Sequence, residues 1–400
     1  MSAVVVGGGQ AGLAMSRELT VRGVDHAVLE RGRVGQSWRD RWDSFCLVTP
    51  NWSVQLPDGA YNGDDPDGYL PRDEIVAFFE RYAAKIAAPV REGVAVRSIE
   101  REPGGGFRVG TSAGELHADR VVLANGAYQR PHRPAAETLP SSLLQLDVLS
   151  YRNPASLPDG AVLVVGGGQS GLQIAEELHL AGRDVVVSGG RAPWAPRRLG
   201  GRDIVWWAVE TGFIEQPVEA LPSPSDRLTA NLQNSGRDGG HDLSYRTLRA
   251  LGVTLAGRFL GAADGHLAFA DDLGASVAWG DEGYQRFMGL VRQYCAEHDV
   301  EVPEIAEPAP FDGTAPERLP VDPFSTVLYA GGFRPAYREW LGFPDAFDEM
   351  GFPIHRDGES LAVPGLHFIG VHFLRKRKSS LLLGVGEDAA VVADAMVRPR

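Results

Sequence analysis

Short apolar runs that stop abruptly at glycine recur along this chain, each followed by a stretch with helical spacing. The first predicts a strand over 3–6, a glycine turn, a helix from about 10 to 22 stopped by Gly23, and a strand over 26–30. Periodicity then disappears. Gly35-Gln36-Ser37-Trp38-Arg39, Trp42-Asp43-Ser44-Phe45 and Thr49-Pro50-Asn51-Trp52 crowd aromatics and polar groups together, which reads as a loop region lining something flat. After Pro71, the spacing of Ile75, Phe78, Phe79 and Tyr82 predicts a helix over about 72–88 with those side chains in the core. Runs at 94–100, 106–111 and 115–118 around Gly104-Gly105-Gly106 predict a small antiparallel meander. Apolar runs ending in glycine at 120–126, 326–332 and 365–370 read as buried strands, and a last helix is expected at about 387–397.

The opening pattern occurs twice. Val4-Val5-Val6-Gly7-Gly8-Gly9-Gln10-Ala11-Gly12 returns as Val162-Leu163-Val164-Val165-Gly166-Gly167-Gly168-Gln169-Ser170-Gly171. Each copy is an apolar run, then G-x-G-x-x-G, then an amphipathic helix pattern. One such motif is a weak signal. Two in the same strand–turn–helix context point to two dinucleotide sites. The first glycine makes the tight turn, the second lets backbone approach a pyrophosphate, and the third lets helix and strand pack closely. The helix N-terminus then offers free N–H groups and a positive dipole end. Glu30 closes the second strand of the first unit, where an acid accepts hydrogen bonds from a ribose 2′-OH. The second unit has Gly189 at the equivalent place and Arg191 just beyond, which leaves room for a 2′-phosphate and a guanidinium to grip it.

The chain has 400 residues, 44% hydrophobic and 23% charged, which suits two or three soluble domains. We expect an α/β fold of two Rossmann-like dinucleotide-binding domains, glutathione-reductase-like, the second inserted into the first. The first would span 1–155 and 325–400. The second would span 156–324 with an insertion at about 192–285. The strand at 326–332 mirrors 120–126 and is taken as the return to the first domain. A net charge of −13 argues against a nucleic-acid partner. The basic run Arg375-Lys376-Arg377-Lys378 is expected to be a solvated loop. Two cysteines, Cys46 and Cys295, give no C-x-x-C, hence no dithiol redox pair, disulfide framework or cysteine zinc site. The ten histidines form no H-E-x-x-H, and no metal site is expected. A strand starting at residue 3 leaves no room for a signal peptide, and no long apolar run suggests a membrane span, so a cytoplasmic protein is expected.

These residues resemble the class B flavin-dependent monooxygenases, more closely their compact bacterial branch, over essentially the whole chain. The resemblance is carried by both glycine motifs, Trp38-Arg39-x-Arg41-Trp42-Asp43-Ser44-Phe45, Ala124-Asn125-Gly126, Ala330-Gly331-Gly332-Phe333-Arg334-Pro335 and the C-terminal Gly-Val-Gly-Glu-Asp-Ala. It implies FAD in the first unit and NADPH in the second. Reduced flavin would activate O2 as a C4a-(hydro)peroxyflavin that oxygenates a small-molecule substrate; a homodimer is left open. The implied cofactor contacts are Gly7, Gly9, Gln10, Ala11, Gly12, Glu30, Arg31, Ser37, Trp38, Trp42, Thr49, Val96, Ala124, Asn125, Gly126, Gly370 and Leu382 for FAD. For NADPH they are Gly166, Gly168, Gln169, Ser170, Gly171 and Arg191. Asn51 is the candidate catalytic residue, its amide donating to the peroxide oxygen; a turn-forming asparagine is the competing reading. Trp38 and Trp42 could wall the cofactor or pack in the core. Gly384–Asp388 would aim a helix N-terminus at the flavin pyrimidine.

Three departures matter. The family's Ala-Thr-Gly strand ends carry Asn125 and Gly331 here. Its Phe-x-Gly-x-x-x-His linker has Asp147 in place of the histidine and lacks the glycine. A carboxylate cannot donate as an imidazolium does, and near the flavin it would repel an anionic intermediate. Amines, sulfides or 2-oxo acids are therefore expected over ketones. The alternatives are an NADPH:acceptor reductase on the same fold and a non-enzymatic flavoprotein. The 38–51 segment favours the oxygenase over the first, and the intact second nucleotide motif argues against the second.

Overall fold

The computed structural model describes residues 1–229 and 231–398. Valine-rich strands buried on both faces require a cover on each side, and the chain supplies it twice. The first sheet places Ala3–Val6 between His26–Glu30 and Arg120–Leu123, all parallel, with Val90–Glu92 and Leu366–Phe368 outside them. The second sheet places Ala161–Val165 between Val185–Ser188 and Phe324–Tyr329, with Thr254–Ala256 and Leu144–Asp147 outside, again all parallel. Four of these five strands follow the same order in both sheets; the outer fifth comes last in the chain in the first sheet but precedes the central strand in the second, and the first sheet adds an antiparallel edge of His355–Arg356 and Glu359–Ser360. Each unit also carries a three-stranded antiparallel meander. Val96–Arg101, Phe107–Thr111 and Gly114–Ala118 form one; Phe259–Ala263, His266–Phe269 and Arg318–Pro320 form the other. The expected helix at 72–88 spans Arg72–Lys85, and the last helix is Val385–Val397.

This order corrects the expected boundaries. Phe324–Tyr329 is the counterpart of Arg120–Leu123, as its sequence suggested, but it pairs within the second sheet instead of returning to the first. Leu144–Asp147, placed by the sequence in the first domain, also lies in the second sheet. The stretch at 192–285 is not one insertion. Tyr245–Leu251 and Thr254–Ala256 are a helix and a strand of the second unit, and 259–269 belongs to its meander. What is added is 192–244 and the helix Leu273–His298, which share a core of Leu199, Ile204, Trp207, Tyr284, Phe287 and Met288. Aperiodic, tryptophan-rich sequence hid this because its apolar positions pack onto a distant helix.

His241, in the added segment, meets Glu176 of helix Gln169–Leu180 at 2.8 Å. That hydrogen bond raises the imidazole pKa against the lowering effect of burial. A raised folded pKa means the contact stabilises fully below the unfolded value and is lost as pH rises through the folded one. Urea melts should therefore show wild type exceeding His241→Gln in stability at about pH 6 and converging with it by about pH 9. A difference that is constant over this range would show that the histidine charge is not used.

Candidate functional site

The first cradle begins where strand Ala3–Val6 runs into Gly7, at φ +113°, and helix Gln10–Val21 follows at once. A Cβ on Gly7 would lie 2.6 Å from the Ala124 carbonyl oxygen, and one on Gly12 would collide with the carbonyl oxygen of Gly7. Gly9 caps the helix with no side-chain hydrogen bond, so the first-turn N–H groups of Gln10, Ala11 and Gly12 are left for a ligand. Ser37 faces the gap, its Oγ 3.9 Å from where a Cβ on Gly9 would sit. Glu30 is buried. Its Oε2 accepts the Gly8 N–H at 2.7 Å and its Oε1 the Gly32 N–H at 2.8 Å, and each oxygen keeps a lone pair. The Val94 N–H donates to the Glu30 carbonyl at 2.9 Å, which ties the chain just before Val96, where the meander starts, to the end of strand His26–Glu30. Gly370 closes on Ala11, and Gln10 Nε2 donates to the Ser380 carbonyl at 2.6 Å. Backbone donors, a fixed carboxylate and Cβ-free approaches fit an adenine dinucleotide.

Other expected contacts divide. Asn125 is exposed at the strand end beside buried Ala124, and Gly126 and Thr49 are half-buried. Arg31 is exposed. Leu382 is in the core behind the cradle. Trp38 is half-buried, 6.0 Å from the Phe79 ring in a stacked pair. Trp42 is corrected: at 2% exposure it has no face for a flat ligand, and it packs edge-on to Phe45 in the core of the second sheet. Asn51 is also corrected. Its Nδ2 donates to the Asp65 carbonyl at 2.9 Å and its Oδ1 accepts the Leu70 N–H at 2.7 Å. At 3% exposure the amide ties the 65–70 loop to residue 51. Helix Val385–Val397 does begin at the expected glycine, with its first turn against Lys378.

The second cradle repeats the first with one change. Gly166 has φ +131°, a Cβ on Gly171 would collide with the Gly166 carbonyl, and Gly168 caps helix Gln169–Leu180 without a side-chain bond. Ser170 is half-buried in the first turn, and Gln169 Nε2 donates to the Leu232 carbonyl at 3.1 Å. Gln233 Nε2 donates to the Gly167 carbonyl at 2.6 Å, so the added segment lies against the turn. Where Glu30 touches Gly8, the buried Tyr245 fills the notch between Gly167 and Gly189, and its hydroxyl donates to the Gly190 carbonyl at 2.6 Å. Sequence reasoning missed this tyrosine because it lies on a helix far along the chain. Arg191 is exposed. Arg197 is committed elsewhere: it is buried, ion-paired with Asp203, and donates to the Val48 carbonyl at 2.8 Å.

Two charge expectations change. Asp147 is buried, ion-paired with Arg133, and accepts the Leu149 N–H at 3.0 Å, so it presents no free carboxylate. The basic run is not a solvated loop. Lys376 and Lys378 both pair with Glu215 and Glu387, at 2.5–2.9 Å, and Arg377 stacks over Phe213 and Phe373. Burial alone would raise the Glu387 pKa, but the two ammonium groups bring it down to about 2. Among the described residues no group of three or more His, Cys, Asp or Glu could hold a metal, and no helix is long and apolar enough to cross a membrane.

Residues 4–201 match a family described as pyridine nucleotide-disulphide oxidoreductase. An uncharacterized oxidoreductase, CzcO-like, of Geobacillus kaustophilus is 31% identical over 395 residues, covering 96% of this chain and 95% of that protein. Indole-3-pyruvate monooxygenase YUCCA1 of Oryza sativa subsp. japonica is 32% identical over 192 residues, covering 46% and 47%. A flavin-containing monooxygenase structure from Stenotrophomonas maltophilia shares the fold, with TM-score 0.68 at 20% identity, covering 99% of this chain and 97% of that one.

The first cradle depends on a contact with no room for a methyl group. Gly12→Ala should lower stability by about 1–3 kcal/mol in urea melts and yield protein with less bound flavin. Unchanged stability with full flavin would show that the helix can retreat from Gly7.

Proposed function

The chain belongs to the class B flavin-dependent monooxygenase family, and on that premise we propose that it uses FAD, NADPH and O2 to oxygenate a small molecule. An amine, sulfide or 2-oxo acid is favoured over a ketone. The carrying observation is the pair of glycine cradles on matching sheets, one with a ribose-binding carboxylate and one without. Bound flavin supplies hydride acceptance and oxygen activation. The first-turn N–H groups of helix Gln10–Val21 hold its pyrophosphate, and Glu30 takes its adenosine ribose; FMN has no such ribose. In the second cradle a neutral tyrosine hydroxyl stands where the first has a carboxylate, which supports acceptance of a 2′-phosphate. Asn51 holds the loop near the cofactor face without touching the reacting atoms.

Purified protein should release FAD on heating and convert NADPH and O2 with a panel of amines, sulfides and 2-oxo acids to oxygenated product. NADPH oxidation that yields only hydrogen peroxide with every substrate would favour the reductase reading. Finding FMN would sink the assignment of the first cradle.

Losing a charge-assisted contact costs roughly 1.5–3 kcal/mol. Arg191→Ala should therefore weaken NADPH about ten- to 150-fold in binding titrations and leave NADH nearly unchanged. Equal losses for both nucleotides would show that Arg191 does not read the phosphate.

A further inference from the structure

One buried cation at the junction of the two halves has no carboxylate partner. Arg41 is 8% exposed, and its Nε is buried without a hydrogen-bond acceptor. Among the described residues no carboxylate pairs with its side chain. Asp40 is near enough to act on it electrostatically, but its Oδ1 accepts from Gln36 Nε2 at 2.9 Å. The guanidinium carbon lies 5.1 Å from the Tyr128 ring centre and 5.5 Å from that of Phe45. Arg197, at the same junction, shows the usual solution: it is buried with Asp203 and a carbonyl. An unpaired buried charge carries a large desolvation cost, and among the described residues no carboxylate is in ion-pair contact with this one.

The surroundings place this cation where two nucleotides would meet. Tyr128 follows Gly126 at the end of strand Arg120–Leu123. Its ring touches Phe333, just after Gly332, at 5.0 Å, and His372, just after Gly370, at 5.5 Å. All three glycines lie beyond the carboxyl ends of strands, where ligands of such sheets bind. The pyrophosphates already have helix N-termini of their own. The guanidinium lies over two aromatic rings and its Nε–H is unused, and a guanidinium fork matches a planar two-oxygen anion.

We propose that Arg41 binds the carboxylate of the substrate, so that the molecule oxygenated is an organic acid. The proposal rests on the monooxygenase reading for the word substrate alone; the site itself can be measured without turnover.

FAD-loaded enzyme is melted with formate, benzoate or phenylacetate, against chloride at equal ionic strength and against phenylacetamide. At least one carboxylate should raise the melting temperature, and the amide should not. Arg41→Met should weaken that carboxylate by about ten- to 100-fold in a flavin-absorbance titration, and Arg41→Lys should recover part of it. Without ligand, Arg41→Met should melt no lower than wild type, because it removes an uncompensated charge. No stabilisation by any of the three carboxylates, or equal effects of acid and amide, would overturn the proposal. So would an Arg41→Met variant that loses NADP+ affinity and keeps carboxylate binding, since the anion would then be the nucleotide phosphate. A failed oxygen assay would leave these binding results standing.

Discussion

The contact on which the rest depends is a helix start pressed onto a strand end with no side chain between them. Gly12 meets the Gly7 carbonyl, and Gly171 meets that of Gly166. Each close approach points unsatisfied N–H groups outward at the edge of a sheet. Because both faces of each sheet are covered, the carboxyl ends of the strands are the natural place for a ligand. The four strands around each turn repeat their order between the halves, so the two cradles are built alike.

The halves are joined by side chains that the sequence does not advertise. Trp42 leaves the first unit's loop and enters the second unit's core. Arg197 reaches back to the Val48 carbonyl. Residues 375–378 run beside 216–218, with Val218 N–H donating to the Arg375 carbonyl at 2.9 Å, and their lysines share Glu215 and Glu387. Ion pairs this exposed contribute little singly, so the apolar packing under Arg377 and around Trp42 carries more of the joint.

What was legible in the sequence was local. Glycine spacing marked both turns, and valine runs marked the central strands, because each depends on neighbours within one strand–turn–helix unit. What failed was long-range. The strand Phe324–Tyr329 looked like Arg120–Leu123, but only pairing reveals which sheet holds it. The basic run looked solvated until Glu215, from a distant part of the chain, was placed beside it. Asn51 had the right chemistry for a donor, yet its hydrogen bonds go to a loop whose position no pattern predicts.

Repetition of the frame makes the differences between the cradles meaningful. Gly8 and Gly167 occupy equivalent places, and each has one side chain set against it. In the first unit that side chain is Glu30, from the adjoining strand, held by two backbone N–H groups. In the second it is Tyr245, from a later helix, whose hydroxyl is spent on Gly190. The backbone donors at the two helix starts are therefore alike, while the charge beside the turn is not. A carboxylate repels a 2′-phosphate and a neutral hydroxyl does not, so one architecture used twice can hold two different nucleotides without rebuilding either turn.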